Sequence, residues 1–209
     1  MLMMLAALAL VPQTAPAPPA DAPESLTSRA EHYCIDPDGD HRLTWHRAEQ
    51  DGFTLLSNAE YARLRLPGTG GLRAFSKTEH GIEYRILTAA HSETGPSGIA
   101  YFRRCWVSSS QYSIGDADRE LRDLLGFRHF RAKNTFVYAW IPQTDGTLRS
   151  IPRRTYMRSS LRMAAEQGLR QVSARQYGEQ VFISYASPRD EATYRDFDWA
   201  GPEPIDAPE

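Results

Sequence analysis

Apolar and polar positions alternate with two different periods along this chain, and the change of period marks its elements. From Gly81 to Ala90, Ile82, Tyr84 and Ile86 alternate with Glu83 and Arg85, the period of a strand with one buried face. Ser92 to Gly98 is rich in turn formers and reads as a loop, after which Ile99 to Ser108 returns as a second strand. A third, shorter strand is expected at Leu72 to Ser76. Thr135 to Pro142 is a strong strand, Asp145-Gly146 turns it, and Thr147 to Ile151 comes back. Leu169 to Arg175 and Gln180 to Ser187 form a last hairpin around Tyr177-Gly178.

The helical period appears between these strands. His41 to Asp51 follows Asp40, a good N-cap, and Leu43, Arg47, Ala48 and Asp51 fall near one stripe. Asn58 to Leu66 reads as a short helix ended by Pro67-Gly-Thr-Gly-Gly71, a glycine loop without a phosphate-binding lysine. Ile114 to Leu125 carries Leu121, Leu124 and Leu125 on one stripe, with Asp116 at its start. Tyr156 to Gln167 is amphipathic through Met157, Leu161, Ala164 and Ala165, and Gly168 stops it. Helix followed by hairpin recurs, which predicts an α+β fold: an antiparallel sheet built from hairpins, with helices packed on one face. The pattern Cys34, Gly39-Asp40, helix, Gly52-Phe53 has an echo in Cys105, Gly115-Asp116, helix, Gly126-Phe127, which points to a degenerate duplication.

The ends of the chain differ from its middle. Leu2 to Val11 is an apolar run of signal-peptide length, and small residues place cleavage after Ala17 or Ala20. That run is too short to span a bilayer, so no transmembrane span is expected once it is removed. Residues 18–31, rich in Pro, Ala and acid, read as a disordered tether. Residues 32–187 form the single domain, and 188–209 an acidic, proline-bearing, disordered tail. Export to the periplasm or the medium follows from the leader. In an oxidising compartment the two cysteines of the chain, Cys34 and Cys105, are expected to pair.

The arrangement of Cys34, Gly39-Asp40, Gly52-Phe53 and Cys105 resembles that of small exported proteobacterial proteins of uncharacterised function. The resemblance spans about residues 32–187; it implies export and a disulfide, and no activity.

Composition adds little beyond this. Net charge is −2 over 209 residues, so no global charge points to nucleic acid. Local charge does matter. Between positions 149 and 175 seven arginines meet only Glu166, and Arg154, Arg158 and Arg162 repeat every four residues. They make one cationic stripe, a candidate anion-binding surface for an anionic envelope polymer or an acidic protein. Tyr194, Phe197 and Trp199 of the acidic tail are the chain's own candidates to dock on it.

Asp36-x-Asp38-Gly-Asp40 resembles the start of an EF-hand or dockerin calcium loop, which needs carboxylates at positions 1, 3 and 5. Arg47 stands where the closing carboxylate belongs, so the turn reads chiefly as a helix cap and only secondarily as a weak calcium site. The six histidines show no metal-ligand spacing, and no nucleophile elbow or Ser-x-x-Lys is present. No catalytic residue and no cofactor emerge. The leading expectation is a non-enzymatic binding or envelope-associated role. The alternatives are a peptidoglycan hydrolase working through a carboxylate pair and the calcium binder at Asp36, Asp38 and Asp40.

Overall fold

The computed structural model describes residues 24–57, 59–60 and 73–195. The leader, the helix expected over 58–66 apart from Ala59 and Glu60, the glycine loop, and Phe197 and Trp199 lie outside those residues.

Among the described residues, nine strands form one antiparallel sheet. In chain order they are β1 (Thr54–Leu55), β2 (Arg73–Glu79), β3 (Ile82–Gly95), β4 (Gly98–Ser109), β5 (Phe130–Ala132), β6 (Thr135–Pro142), β7 (Leu148–Ser150), β8 (Arg170–Tyr177) and β9 (Gln180–Arg189). The spatial order is β1-β2-β3-β4-β9-β8-β6-β5, with β7 also on β6. The helices are α1 (Leu26–Ala30), running on into a π-turn over Glu31–Ile35, then α2 (His41–Gln50), α3 (Ile114–Leu125), α4 (Arg153–Gln167) and α5 (Glu191–Arg195). The α+β class and the antiparallel sheet are as the sequence predicts.

The placement of the helices is not. Successive strand residues point to opposite faces, so the two core clusters identify two faces. Tyr84, Ile86, Cys105, Val107, Tyr138, Trp140, Val172, Ile183 and Tyr185 pack with residues of α1, α2 and α3. The alternate positions Ala100, Phe102, Val137, Ala139, Ile141 and Ala186 pack with Met163 and Ala164 of α4. Helices therefore cover both faces, and α4 stands alone on the second among the described residues. The cause was present in the sequence: Phe136 to Ile141 is an unbroken apolar run, and such a strand is buried on both sides.

Other boundaries shift for local reasons. The expected loop Ser92–Gly98 is the end of a long hairpin, paired out to Gly95 opposite Gly98. Its polar residues alternate across the two faces of the ladder. In α2 the buried positions are His41, Thr44, Trp45 and Ala48, an i, i+3, i+4, i+7 stripe, while Leu43 is 36% exposed. Asp40 caps α2 as expected, accepting from the backbone N–H of Arg42 and Leu43. The cap of α3 is Ser113 rather than Asp116: the Ser113 hydroxyl accepts from Asp116 N at 3.0 Å and donates to the Asp116 carboxylate at 2.8 Å.

The tether drawn to residue 31 gives way earlier, at Leu26, where α1 begins under a Ser25 cap with Leu26 and Ala30 fully buried. The tail drawn from residue 188 also has ordered structure: β9 runs to Arg189 and α5 follows. Tyr194 packs on Tyr101 with ring centroids 4.9 Å apart, and Arg103 donates to the Thr193 carbonyl at 3.0 Å. Tyr101 and Arg103 alternate with the residues under α4, so Tyr194 docks on the face away from the arginine stripe.

Cys34 and Cys105 form a disulfide, with Cα atoms 5.3 Å apart. It ties the π-turn to the central strand β4. The strand order has an internal regularity too. A helix and four strands (α2, β1–β4) meet a helix and four strands (α3, β5, β6, β8, β9), and the last strand of each set pairs with the other. This is the arrangement a duplicated unit would leave, with β7 and α4 as an insertion.

Candidate functional site

β6 has one continuous neighbour, β8, along residues 135–140. Its other edge is shared by two short strands. β5 covers 135–137 and β7 covers 140–142, with Ile151 N donating to the Ala139 carbonyl at 2.8 Å, so the edge opens near Tyr138. A pocket of about 520 Å³, mouth included, lies in this gap. Phe127, Phe130, Ala139, Ile151 and Pro152 give it apolar walls; Arg128, His129, Ser150 and Arg153 are its polar lining.

Local structure fixes these side chains. Gly126, at φ +74°, ends α3 in the left-handed conformation and turns the chain so that 127–129 cross to β5. His129 Nδ1 lies 2.6 Å from Asp118 Oδ1 of α3. The Tyr138 hydroxyl lies 2.8 Å from the same carboxylate oxygen and 2.8 Å from the Asp118 carbonyl. Burial, reinforced by the neighbouring Asp118, pushes the Tyr138 phenol up, so it remains a donor. The imidazole ring also packs on Phe136 at 4.5 Å.

Asp118 is thus the near neighbour of His129 Nδ1, and Nε2 has no protein partner among the described residues. Arg128 and Ser150 make no side-chain bond there either, and Arg153 uses only Nε, donating to the Arg131 carbonyl at 3.2 Å. No carboxylate lines the pocket. Two arginines, a serine and a histidine therefore line the pocket with no carboxylate among them, a lining suited to an anion.

Arg154, Arg158 and Arg162 are exposed along α4. They do not line the pocket, but Arg153, which does, is the residue before Arg154. Each step of four residues rises about 6 Å along a helix, so the stripe continues from the pocket rim.

The three acidic residues of the candidate calcium turn go to different partners. Asp36 faces Arg47 at 3.7 Å, and Asp40 caps α2. Asp38, at φ +47°, accepts from Arg170 Nε and Nη2 at 3.1 and 2.8 Å, from Ser187 at 2.8 Å, and from Tyr185. Burial alone would raise the Asp38 carboxyl; the hydrogen bonds from Arg170, Tyr185 and Ser187 outweigh it and hold it below the usual range. Its backbone carbonyl accepts from Arg189. The turn is a structural anchor on β8 and β9. Beside it His41 is buried, and burial, aided by the Arg103 charge, pushes its imidazole down to about 3.

Carboxylates meet clefts in two other places. Under α4, Glu93 accepts from His91 at 2.9 Å and Arg104 at 2.6 Å, beside Tyr156 and Gln171. The His91 hydrogen bond, with the Arg104 charge, keeps Glu93 below the normal range, and it is the one carboxylate in that cleft. Near the N-terminus, Glu24, Asp51 and Glu79 line a shallow depression. Glu79 is bonded to Lys77 and Arg29, Asp51 to Tyr33 at 2.7 Å and His32 at 3.2 Å. The Lys77 hydrogen bond holds Glu79 low. A glycosidase acid needs a raised carboxyl, whereas Glu93 and Glu79 are both held low.

The sequence pointed to the basic segment but missed Arg128, His129 and Ser150. Asp118 and His129 are joined only by the turn at Gly126, and no motif spacing announces such a pair.

No family model matches the chain, and neither the curated proteins nor the solved structures contain a match to it.

Proposed function

We propose that this chain is an exported, periplasmic or secreted binding domain that takes an anionic ligand at its basic edge pocket. The observation that carries the reading is the pocket's polar lining: Arg128, His129, Ser150 and Arg153, with no carboxylate among them. An anionic envelope polymer fits best, because Arg154, Arg158 and Arg162 extend the cationic surface beyond the rim. The disulfide suits an oxidising compartment. Among the described residues, no helix is long and apolar enough to cross a membrane.

Calorimetric titration of the protein with inorganic phosphate and with linear polyphosphate tests this at two salt concentrations. Arg128→Gln with Arg153→Gln should abolish binding of both. Arg154→Gln, Arg158→Gln and Arg162→Gln together should weaken only the polymer, with a shallower salt dependence. A wild-type protein that binds neither probe at low salt overturns the reading.

A further inference from the structure

We infer that the anion taken by the edge pocket is carried on a sugar ring, so that the polymer it binds is a charged glycan and not a bare polyanion; this rests on reading the pocket as an anion site. The lining is too apolar for a polyanion alone. Five of its nine residues, Phe127, Phe130, Ala139, Ile151 and Pro152, offer carbon surface, and a polyphosphate chain has none to lay against it. Seating an ionic group against such walls takes water from the charge and gains no apolar contact in return. An ion joined to a body with a carbon face gains that contact and keeps its charge at the arginines.

The order of the lining residues decides what that body is. Two segments supply eight of the nine: Phe127-Arg128-His129-Phe130, which runs from the end of α3 into β5, and Ser150-Ile151-Pro152-Arg153, which runs from β7 into α4. Each mixes carbon surface with polar groups, and each supplies one arginine. An alkyl chain needs an unbroken apolar channel, and the four polar residues interrupt this one. A pyranose has the matching character, a C–H face that lies on an aromatic ring and a rim of hydroxyls beside it. Both phenyl rings have aromatic neighbours that hold them. Phe127 lies edge-on to Tyr138 and Trp140, with centroids 6.0 and 6.2 Å apart, and Phe130 packs on Tyr156 at 5.0 Å. At about 520 Å³, mouth included, the pocket is of small-molecule size, so one sugar unit sits in it and the chain continues outside.

The test holds the charged group constant and varies the body. Calorimetry on the full chain at low salt compares inorganic phosphate, glucose 1-phosphate and octyl phosphate. Glucose 1-phosphate should bind about tenfold more tightly than phosphate and more tightly than octyl phosphate. Phe130→Leu keeps an apolar side chain but removes the ring face. It should erase the tenfold gain and leave phosphate binding unchanged, which also shows that the variant folds. Glucose 1-phosphate no tighter than phosphate, or a gain that survives in Phe130→Leu, sinks the sugar and spares the anion site. Octyl phosphate bound at least as tightly as glucose 1-phosphate assigns the walls to an alkyl chain and overturns the inference. Failure of the wild type to bind any of the three sinks both readings.

Discussion

Asp38 and Arg170 meet across 132 residues of chain, the carboxylate accepting from both Nε and Nη2 of the guanidinium. This pair fastens the turn before α2 to β8, and it has a pH signature. The folded-state pKa of Asp38 lies below its unfolded value. Its contribution is therefore present above the unfolded carboxylate range and is lost as pH falls through the folded value. Arg170→Met should destabilise by about 2 kcal/mol, the scale of charge-assisted hydrogen bonds, and no more because Asp38 is partly solvated. Urea melts at pH 7 and pH 3 check both parts: the deficit at pH 7 should shrink at pH 3.

His41 titrates in the opposite chemical sense and in another window. It is buried neutral, with a folded pKa of about 3 against an ordinary 6.5. Below 6.5 the unfolded chain takes up a proton that the fold refuses, so stability should fall with a one-proton slope from pH 6.5 towards 3. His41→Met should flatten that slope between pH 6 and 4, where Asp38 contributes little. An unchanged slope in the variant would show that His41 does not carry the linkage.

The Cys34–Cys105 bridge closes a loop with a sequence separation of 71. By loop entropy, replacing both cysteines with alanine should cost about 4 kcal/mol. Equilibrium denaturation of the double variant, compared with reduced wild type, measures it; the two should agree within experimental scatter.

Two glycines at positive φ should respond unequally to alanine. Gly126, at φ +74°, has open space where a Cβ would lie, so Gly126→Ala should cost only the backbone strain, about 1 kcal/mol. Gly39, at φ +79°, would place its Cβ 3.1 to 3.2 Å from Arg189, Arg103 and Ser187. Gly39→Ala should therefore unfold at clearly lower temperature than Gly126→Ala.

Much of the fold was legible because its signals are local. The limits of α3 and β6, the Asp40 cap and the hairpin turns follow from periodicity and turn chemistry within a few residues. The second apolar face was also written in Phe136 to Ile141, but a continuous apolar run gives no hint of which helix covers which side. α1 was hidden because Leu26 and Ala30 sit in a stretch whose composition resembles a linker. The candidate site was legible only in its arginines. His129 gains its significance from Asp118, and that pairing is made by the turn at Gly126, not by a spacing.

The disulfide has a consequence for the order of assembly. Neither of its cysteines lies beyond β4, so covalent closure needs nothing from the residues that follow that strand. The strand that completes β4, however, is β9, the last in chain order among the described residues, with Ser109 opposite Val181 and Tyr101 opposite Arg189. Until β9 arrives, the centre of the finished sheet is an open edge, held in place by a crosslink already made. The step that sets the folding rate should then be the docking of the C-terminal hairpin onto that oxidised half, and reduction should slow it by loosening the template on which it lands.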